Sequence, residues 1–506
     1  MRDRGGGSEV PTASARLRRL GVAWPALTGL AGGVVLLLLS VAGRYGYHRD
    51  ELYFLRAGRE PAFGYVDQPP LSPLLAHAAD TLFRGSLVGL RLPSALAAAL
   101  TVLCAGLIAR ELGGGRAAQA LAAGCMAVSS ILLGTGHLLS TTTFDLLAWT
   151  GLSWLIVRGL RTGGPVWLAM GAVAGVALQN KTTPLFLLAA VTVGVLLVGP
   201  RAALRSPWPW LGGLLALALW SPNLAWQAAH GFPQLALSRA IAEGSSGTSE
   251  PWYAFLPYQV LLISPVLVPV WAVGWWRLAH DPGLRTWRAF AVAYLLLAVL
   301  FMATGGKPYY LAGLYPVLLA AGAEPVVRWA GGRARRIRTA LLGAALLVSL
   351  AASVLIVLPV VPADELAETP VPALYYDAGE TVGWPEFAAT VAAVRQRIPA
   401  EQRIAVLAAN YGEAGAVDRF LPHLAPAYSG HNAYGTWGPP PDDASTLIVV
   451  GHPEHRVREW FGQVELVARI DNGVGLDNEE QDAPVWVARE RRAPWDVLWP
   501  QLVRLG

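Results

Sequence analysis

Residues 45–58, YGYHRDELYFLRAG, place His48, Arg49, Asp50 and Glu51 side by side immediately after a long apolar run. Adjacent carboxylates of this kind offer oxygen ligands for a divalent cation, or one of them can serve as a general base. The same pair would equally suit the first turn of a helix, where acids oppose the helix dipole. Further along, GYVDQPPLSPLL (64–75) sets Asp67 and Gln68 before two prolines that end one helix and start another. Asp145, in GHLLSTTTFDLLAW, falls in the first turn or so of an apolar helical stretch. There it is either a functional acid or a dipole partner behind capping threonines.

The lysines are the most selective signal. Lys181 and Lys307 are the only two in the chain; every other basic side chain is arginine. A compact ammonium at the headgroup level of a membrane suits a phosphate, the alternative being a snorkelling anchor. Tyr309 and Tyr310, beside Lys307, fit either an interfacial belt or contacts to a sugar.

Membrane helices would have to hold these groups. The 506 residues are 54% hydrophobic and 14% charged, against roughly 25% charged in soluble domains. Spans of roughly 20 apolar residues are expected near 22–42, 88–109, 117–135, 143–160, 165–180, 183–199, 209–228, 254–276, 288–304, 309–328 and 338–359. That makes about eleven transmembrane helices. Basic residues recur in every second connection: Arg110 and Arg116, Arg158 and Arg161, Arg201 and Arg205, Arg277 to Arg288, and Arg328 to Arg338. The positive-inside rule then puts the Arg-rich tail 1–20 in the cytoplasm, and an odd span count leaves the C-terminal part outside. This excludes a nucleic-acid binder despite the net charge of +5, because the basic residues form no single patch. Cys104 and Cys125 lie within apolar runs and imply neither a disulfide framework nor a metal site.

Hydropathy changes at about Pro359–Pro362. Three parts follow: a cytoplasmic tail (1–20), a transmembrane domain (21–360) with a long first outer loop (43–87), and an extracytoplasmic α/β domain (361–506). In the last, 386–398 has helical spacing, whereas 403–409, 446–451 and 484–490 read as strands. GHNAYGTWGPP (430–440) is either a carbohydrate contact or a rigid loop. AEGSSGTSE (242–250) is expected to form a mobile polar loop.

HRDELYF, GYVDQPP, STTTFD, QNKTTPLF and GKPYYLAGLYPVLLA together resemble the bacterial branch of glycosyltransferase family 39. That group comprises the dolichyl-phosphate-mannose protein mannosyltransferases and aminoarabinose transferases, with the membrane-embedded C-type glycosyltransferase fold. The resemblance covers about residues 20–330. It implies transfer of a sugar from a polyprenyl-phosphate donor to an extracytoplasmic acceptor (protein, lipid or cell-wall glycan) with inversion, at the cell membrane. Asp50 corresponds to the family's first-loop acid, with Glu51 its neighbour, and Asp145 to the second-loop acid. Lys181, Lys307 and Arg49 take the donor phosphate, and His48, Asp67, Gln68, Tyr309 and Tyr310 contact substrate. A divalent cation, on Asp50 and Glu51, is left undecided. The rival expectation is a lipid-carrier transporter or flippase, which would favour paired repeats and mid-membrane charges.

Overall fold

A computed structural model describes residues 21–242 and 251–506. The basic tail and most of the AEGSSGTSE stretch lie outside the described residues. Helices dominate the first two thirds: α1 Trp24–Val41, α2 Arg49–Arg59, α3 Leu71–Leu82, α4 Leu87–Glu111, α5 Arg116–Ala127, α6 Ser130–His137, α7 Thr141–Thr162 and α8 Val166–Leu178. They continue through α9 Pro184–Val198, α10 Pro207–Ala229, α11 Pro233–Ala242, α12 Phe255–Ile263, α13 Val268–His280, α14 Ala289–Ala303, α15 Tyr315–Gly331 and α16 Arg335–Val357. Starts are set by local chemistry. Ser86 and Ser140 accept backbone N–H bonds at the heads of α4 and α7, and Pro184 opens α9.

Among the described residues, four helical segments are long and apolar enough to cross a membrane: Trp24–Val41, Leu87–Glu111, Pro308–Gly331 and Arg335–Val357. The number rises to six if two bent pairs are each one span: α5 with α6 (57°), and Trp252–Ile263 with Pro265–His280 (83°). Helices cover all eleven stretches expected from hydropathy, but α8, α9 and α14 have only 13 to 15 residues. That is too short to span alone at 1.5 Å per residue. Helices α7 and α10 are long but less apolar.

Beyond residue 360, α17 Trp384–Gln396, α18 Tyr411–Phe420, α19 Glu454–Trp460 and α20 Trp495–Leu502 accompany five strands: β1 Ile404–Ala408, β2 Tyr428–Ser429, β3 Thr446–Val450, β4 Phe461–Arg469 and β5 Pro484–Arg491. They form one mixed sheet in the order β2-β1-β3-β5-β4. Strand β1 pairs in parallel with β2 and β3, aligning Val406 with Ile448, while β5 runs antiparallel to β3 and β4. β1 and β3 read as continuous apolar runs because both faces of the sheet are covered.

The cores do not divide where the hydropathy does. One cluster fills the helical bundle. A second joins Leu52, Tyr53, Phe54 and Leu55 of α2 to Trp384, Phe387, Ala414, Val417 and Ile448. The first loop is therefore packed with the C-terminal sheet. The contact is close: a Cβ on Gly415 would lie 2.9 Å from Leu52 Cβ, and one on Gly412 would lie 2.9 Å from Arg49 Cβ. α18 can lie against α2 only because both positions lack a side chain.

Candidate active site

The site is built around the N-terminus of α2. His48 caps it: its Nδ1 accepts from the Asp50 N–H (3.1 Å), while its own N–H donates to Glu51 Oε2 (2.9 Å). In the neutral imidazole an accepting Nδ1 leaves the proton on Nε2, whereas the imidazolium carries a proton on both nitrogens and gives up that cap bond. Nε2 faces Asp377 Oδ1 at 3.5 Å. Burial works against a charged imidazole, but the Asp377 and Asp50 carboxylates overcome it and lift the group to about 8. Asp377 is held below the usual carboxylate range, since His48 and Lys307 outweigh the opposing effect of burial.

Glu51 points away from this surface and is fully buried. Arg91 of α4 clamps it in a two-pronged pair, Nε to Oε1 at 2.9 Å and Nη2 to Oε2 at 2.8 Å. Leu139 N–H donates to Oε1 at 2.9 Å. With His48 N–H, four donors occupy the carboxylate. A group so bound has little freedom to take a proton or ligate a cation, so its geometry is that of an anchor rather than of the catalytic or metal-binding group expected from sequence. Arg91 also donates to the Ala42 and Gly46 carbonyls at 2.8 and 2.7 Å, tying the end of α1 to the head of α2.

Asp50 remains partly accessible and, among the described residues, accepts one side-chain bond, from Tyr411 Oη at 2.8 Å. Two lysines from distant stretches lie within electrostatic reach of Asp50. Lys181, in the turn between α8 and α9, sits 3.4 Å from Thr142 Oγ1, with its Nζ 4.8 Å from the Tyr310 ring centre and 5.3 Å from that of Tyr309. Burial lowers its affinity for the proton, and Asp145 and Asp50 oppose that. Lys307 immediately precedes the 3-10 turn Pro308–Leu314. Burial and the Lys181 charge bring it down to about 8, with Asp50 and Asp377 pulling the other way. Asp145 is buried and accepts from Thr183 Oγ1 at 2.6 Å. Asn180 ties the lysine turn to both neighbours, donating to Thr141 O (2.8 Å) and accepting from Ser72 Oγ (2.7 Å).

Three expected residues lie elsewhere. Arg49 turns toward the C-terminal sheet, donating to Glu380 (3.0 Å) and Glu479 (2.6 Å). Asp67 accepts from Tyr53 Oη (2.7 Å) and Asn432 Nδ2 (3.3 Å), deep between the first loop and that sheet. Burial raises its carboxyl to about 7. Gln68 is buried beside it, and its Nε2 has no hydrogen-bond partner among the described residues. Among the described residues, the acids that converge on a common point are Glu380, Glu479 and Glu480, each with an oxygen within 4.8 Å of the others. Arg49 already supplies positive charge there.

Asp377 and Tyr411 were invisible in the sequence as site residues. Asp377 follows two tyrosines in a segment without helical or strand period, and Tyr411 opens an unremarkable soluble helix. Tyr411 reaches Asp50 across 361 positions.

Residues 67–226 match the family model described as dolichyl-phosphate-mannose-protein mannosyltransferase. The resemblance read from the motifs therefore holds across that segment, which includes Asp67, Asp145 and Lys181. No curated protein matches the chain in sequence. The fold is shared with ArnT from Cupriavidus metallidurans bound to undecaprenyl phosphate, with a TM-score of 0.62 and 16% identity over 91% of this chain and 97% of that one. The apo state of ArnT gives 0.58 and 14%, covering 92% and 98%. The mycobacterial arabinofuranosyltransferase AftD gives 0.50 and 15%, covering 93% of this chain and 40% of that one. At these identities the likeness is one of fold alone.

Proposed function

We propose that this chain is a membrane glycosyltransferase that moves a sugar from a polyprenyl-phosphate donor to an acceptor outside the membrane, inverting the anomeric centre. The observation that carries the reading is the convergence of Asp50, Lys181 and Lys307 from three distant stretches, with Asp50 acting electrostatically on both lysines. A base beside two ammonium groups at the end of a helical bundle matches a reaction with one proton to remove and one phosphate to release. The fold neighbour captured with undecaprenyl phosphate supports the donor class.

In this reading the acceptor hydroxyl attacks the anomeric carbon while the bond from that carbon to the phosphate oxygen breaks. Asp50 takes the hydroxyl proton. Lys181 and Lys307 neutralise the departing polyprenyl phosphate, and Tyr309 and Tyr310 wall the space beside Lys181. Asp145 keeps the Lys181 turn in place through Thr183. His48 and Asp377 form a further pair beside Asp50, assigned here to orienting sugar hydroxyls. Glu51 and Arg91 position α2, and Arg49 belongs to the clamp on the C-terminal sheet. The alternation of basic connections supports an orientation with the lysine side outside the cell membrane and the N-terminus cytoplasmic. The acceptor is a protein, a lipid or a cell-wall glycan.

The test is sugar transfer by the purified full-length protein in detergent, with a panel of radiolabelled polyprenyl-phosphate sugars and an envelope extract as acceptor. Wild type should move label, and Asp50→Asn should lower kcat at least about 100-fold while still binding the donor lipid. An Asp50→Asn protein that folds and transfers at the wild-type rate would refute the role of the base.

A further inference from the structure

We infer that Tyr411, supplied by the C-terminal sheet, is the positioning residue that orients Asp50 for proton transfer, an inference that rests on the Asp50 role proposed above. Its hydroxyl donates to Asp50 Oδ1 at 2.8 Å. That bond occupies one carboxylate oxygen and stops rotation of the group. The other oxygen is left to receive the acceptor's proton.

The tyrosine is itself held from several directions. Its ring lies 4.8 Å from that of Tyr53 at 31°, and 4.7 Å from that of His431. The Arg49 guanidinium sits 4.9 Å from its ring centre, and Glu380 and Glu479 pin that guanidinium. Backbone geometry fixes the residue as firmly. Asn410 Oδ1 accepts from Glu413 N–H (2.9 Å) while Glu413 Oε2 accepts from Asn410 N–H (3.2 Å). This reciprocal cap sets the first turn of α18, and Tyr411 is its first residue.

Its place in the sheet is the one such folds use for chemistry. Tyr411 follows the carboxyl end of β1, and β1 lies between β2, reached through α18, and β3. Neighbours on opposite sides of β1 make this a switch point, where side chains beyond the strand ends can reach a ligand. Here that point is directed at the head of α2. The C-terminal sheet therefore completes the site, and Arg49, Tyr411 and Asp50 form one linked set.

The experiment measures kcat and donor KM of the full chain with the polyprenyl-phosphate sugar that wild type transfers, together with the affinity for undecaprenyl phosphate alone. Tyr411→Phe keeps the ring and deletes a single oxygen. The expected result is a kcat lowered roughly 10- to 100-fold, the range for losing a hydrogen bond to a charged group. Donor KM and undecaprenyl phosphate affinity should stay within about twofold. A kcat within twofold of wild type overturns the inference. So does a parallel loss of kcat and lipid affinity, or failure of Tyr411→Phe to fold, since either makes the residue structural. Transfer by wild type, abolished by Asp50→Asn and untouched by Tyr411→Phe, overturns this inference and leaves the proposed reaction standing. Absence of transfer by wild type overturns both.

Discussion

Arg91→Met tests whether the head of α2 is anchored as described. Methionine keeps most of the side-chain volume in α4 but removes both prongs from Glu51, which is fully buried while Arg91 is 1% exposed. The carboxylate would keep only the His48 and Leu139 N–H groups, and the Ala42 and Gly46 carbonyls would lose their donor. Removing one partner of a buried pair costs roughly 3–5 kcal/mol. Glu51→Gln should cost a similar amount, because its amide NH2 must face a donor. Since each single change breaks the same pair, the double variant should fall short of the sum by at least about 2 kcal/mol. Thermal unfolding in detergent, followed by the fluorescence of the 20 tryptophans, provides the readout. The sign of the pH dependence follows as well. Burial raises the Glu51 carboxyl, but Arg91 and the two N–H donors bring it below its ordinary value. Its stabilisation is present above the ordinary carboxylate range and is lost as pH falls through the lowered value. An Arg91→Met protein within about 1 kcal/mol of wild type, or strictly additive single costs, would refute the anchor.

Two further outcomes are expected. Lys307→Gln should raise donor KM about tenfold or more with a smaller effect on kcat, the loss of one charged contact to phosphate. Because Lys307 releases its proton at about 8, wild-type donor affinity should weaken as pH rises from 7 to 9, and the slope should shrink in Lys307→Gln to what His48, also at about 8, supplies. Asp67 binds its proton up to about 7 when folded but only to its ordinary value near 3.8 when unfolded. Wild-type stability should therefore fall as pH rises between those values. Asp67→Asn, which can still accept from Tyr53, should flatten that part of the profile of unfolding temperature against pH.

The sequence made the first-loop helices, the lysine pair and most strands legible because each carries a local signal. Strands expected at 403–409, 446–451 and 484–490 correspond to Ile404–Ala408, Thr446–Val450 and Pro484–Arg491. β4 was missed: its burial alternates weakly at the sheet edge, so its apolar period is blurred. The stretches at 165–180 and 183–199 are short in the sequence too, with Pro184 marking the turn between them, and they fold as helices of 13 and 15 residues around the lysine turn. The separate tasks of Asp50 and Glu51 are not legible there. Consecutive residues on a helix point about 100° apart, and only the partners decide which meets Arg91 and which meets Tyr411. Arg49 was read as a phosphate ligand because Glu380 and Glu479 lie more than 300 positions away.

The close seating of α18 on α2, permitted by Gly412 and Gly415, bears on how this architecture can diverge. A helix face that admits no Cβ on one side constrains the surface opposite it, so changes in Leu52 or Arg49 must be matched by changes near Tyr411. The polar C-terminal portion is then no cassette to be exchanged at residue 360. A graft between relatives would have to carry residues 43–87 along with it, because the two stretches pack as one unit.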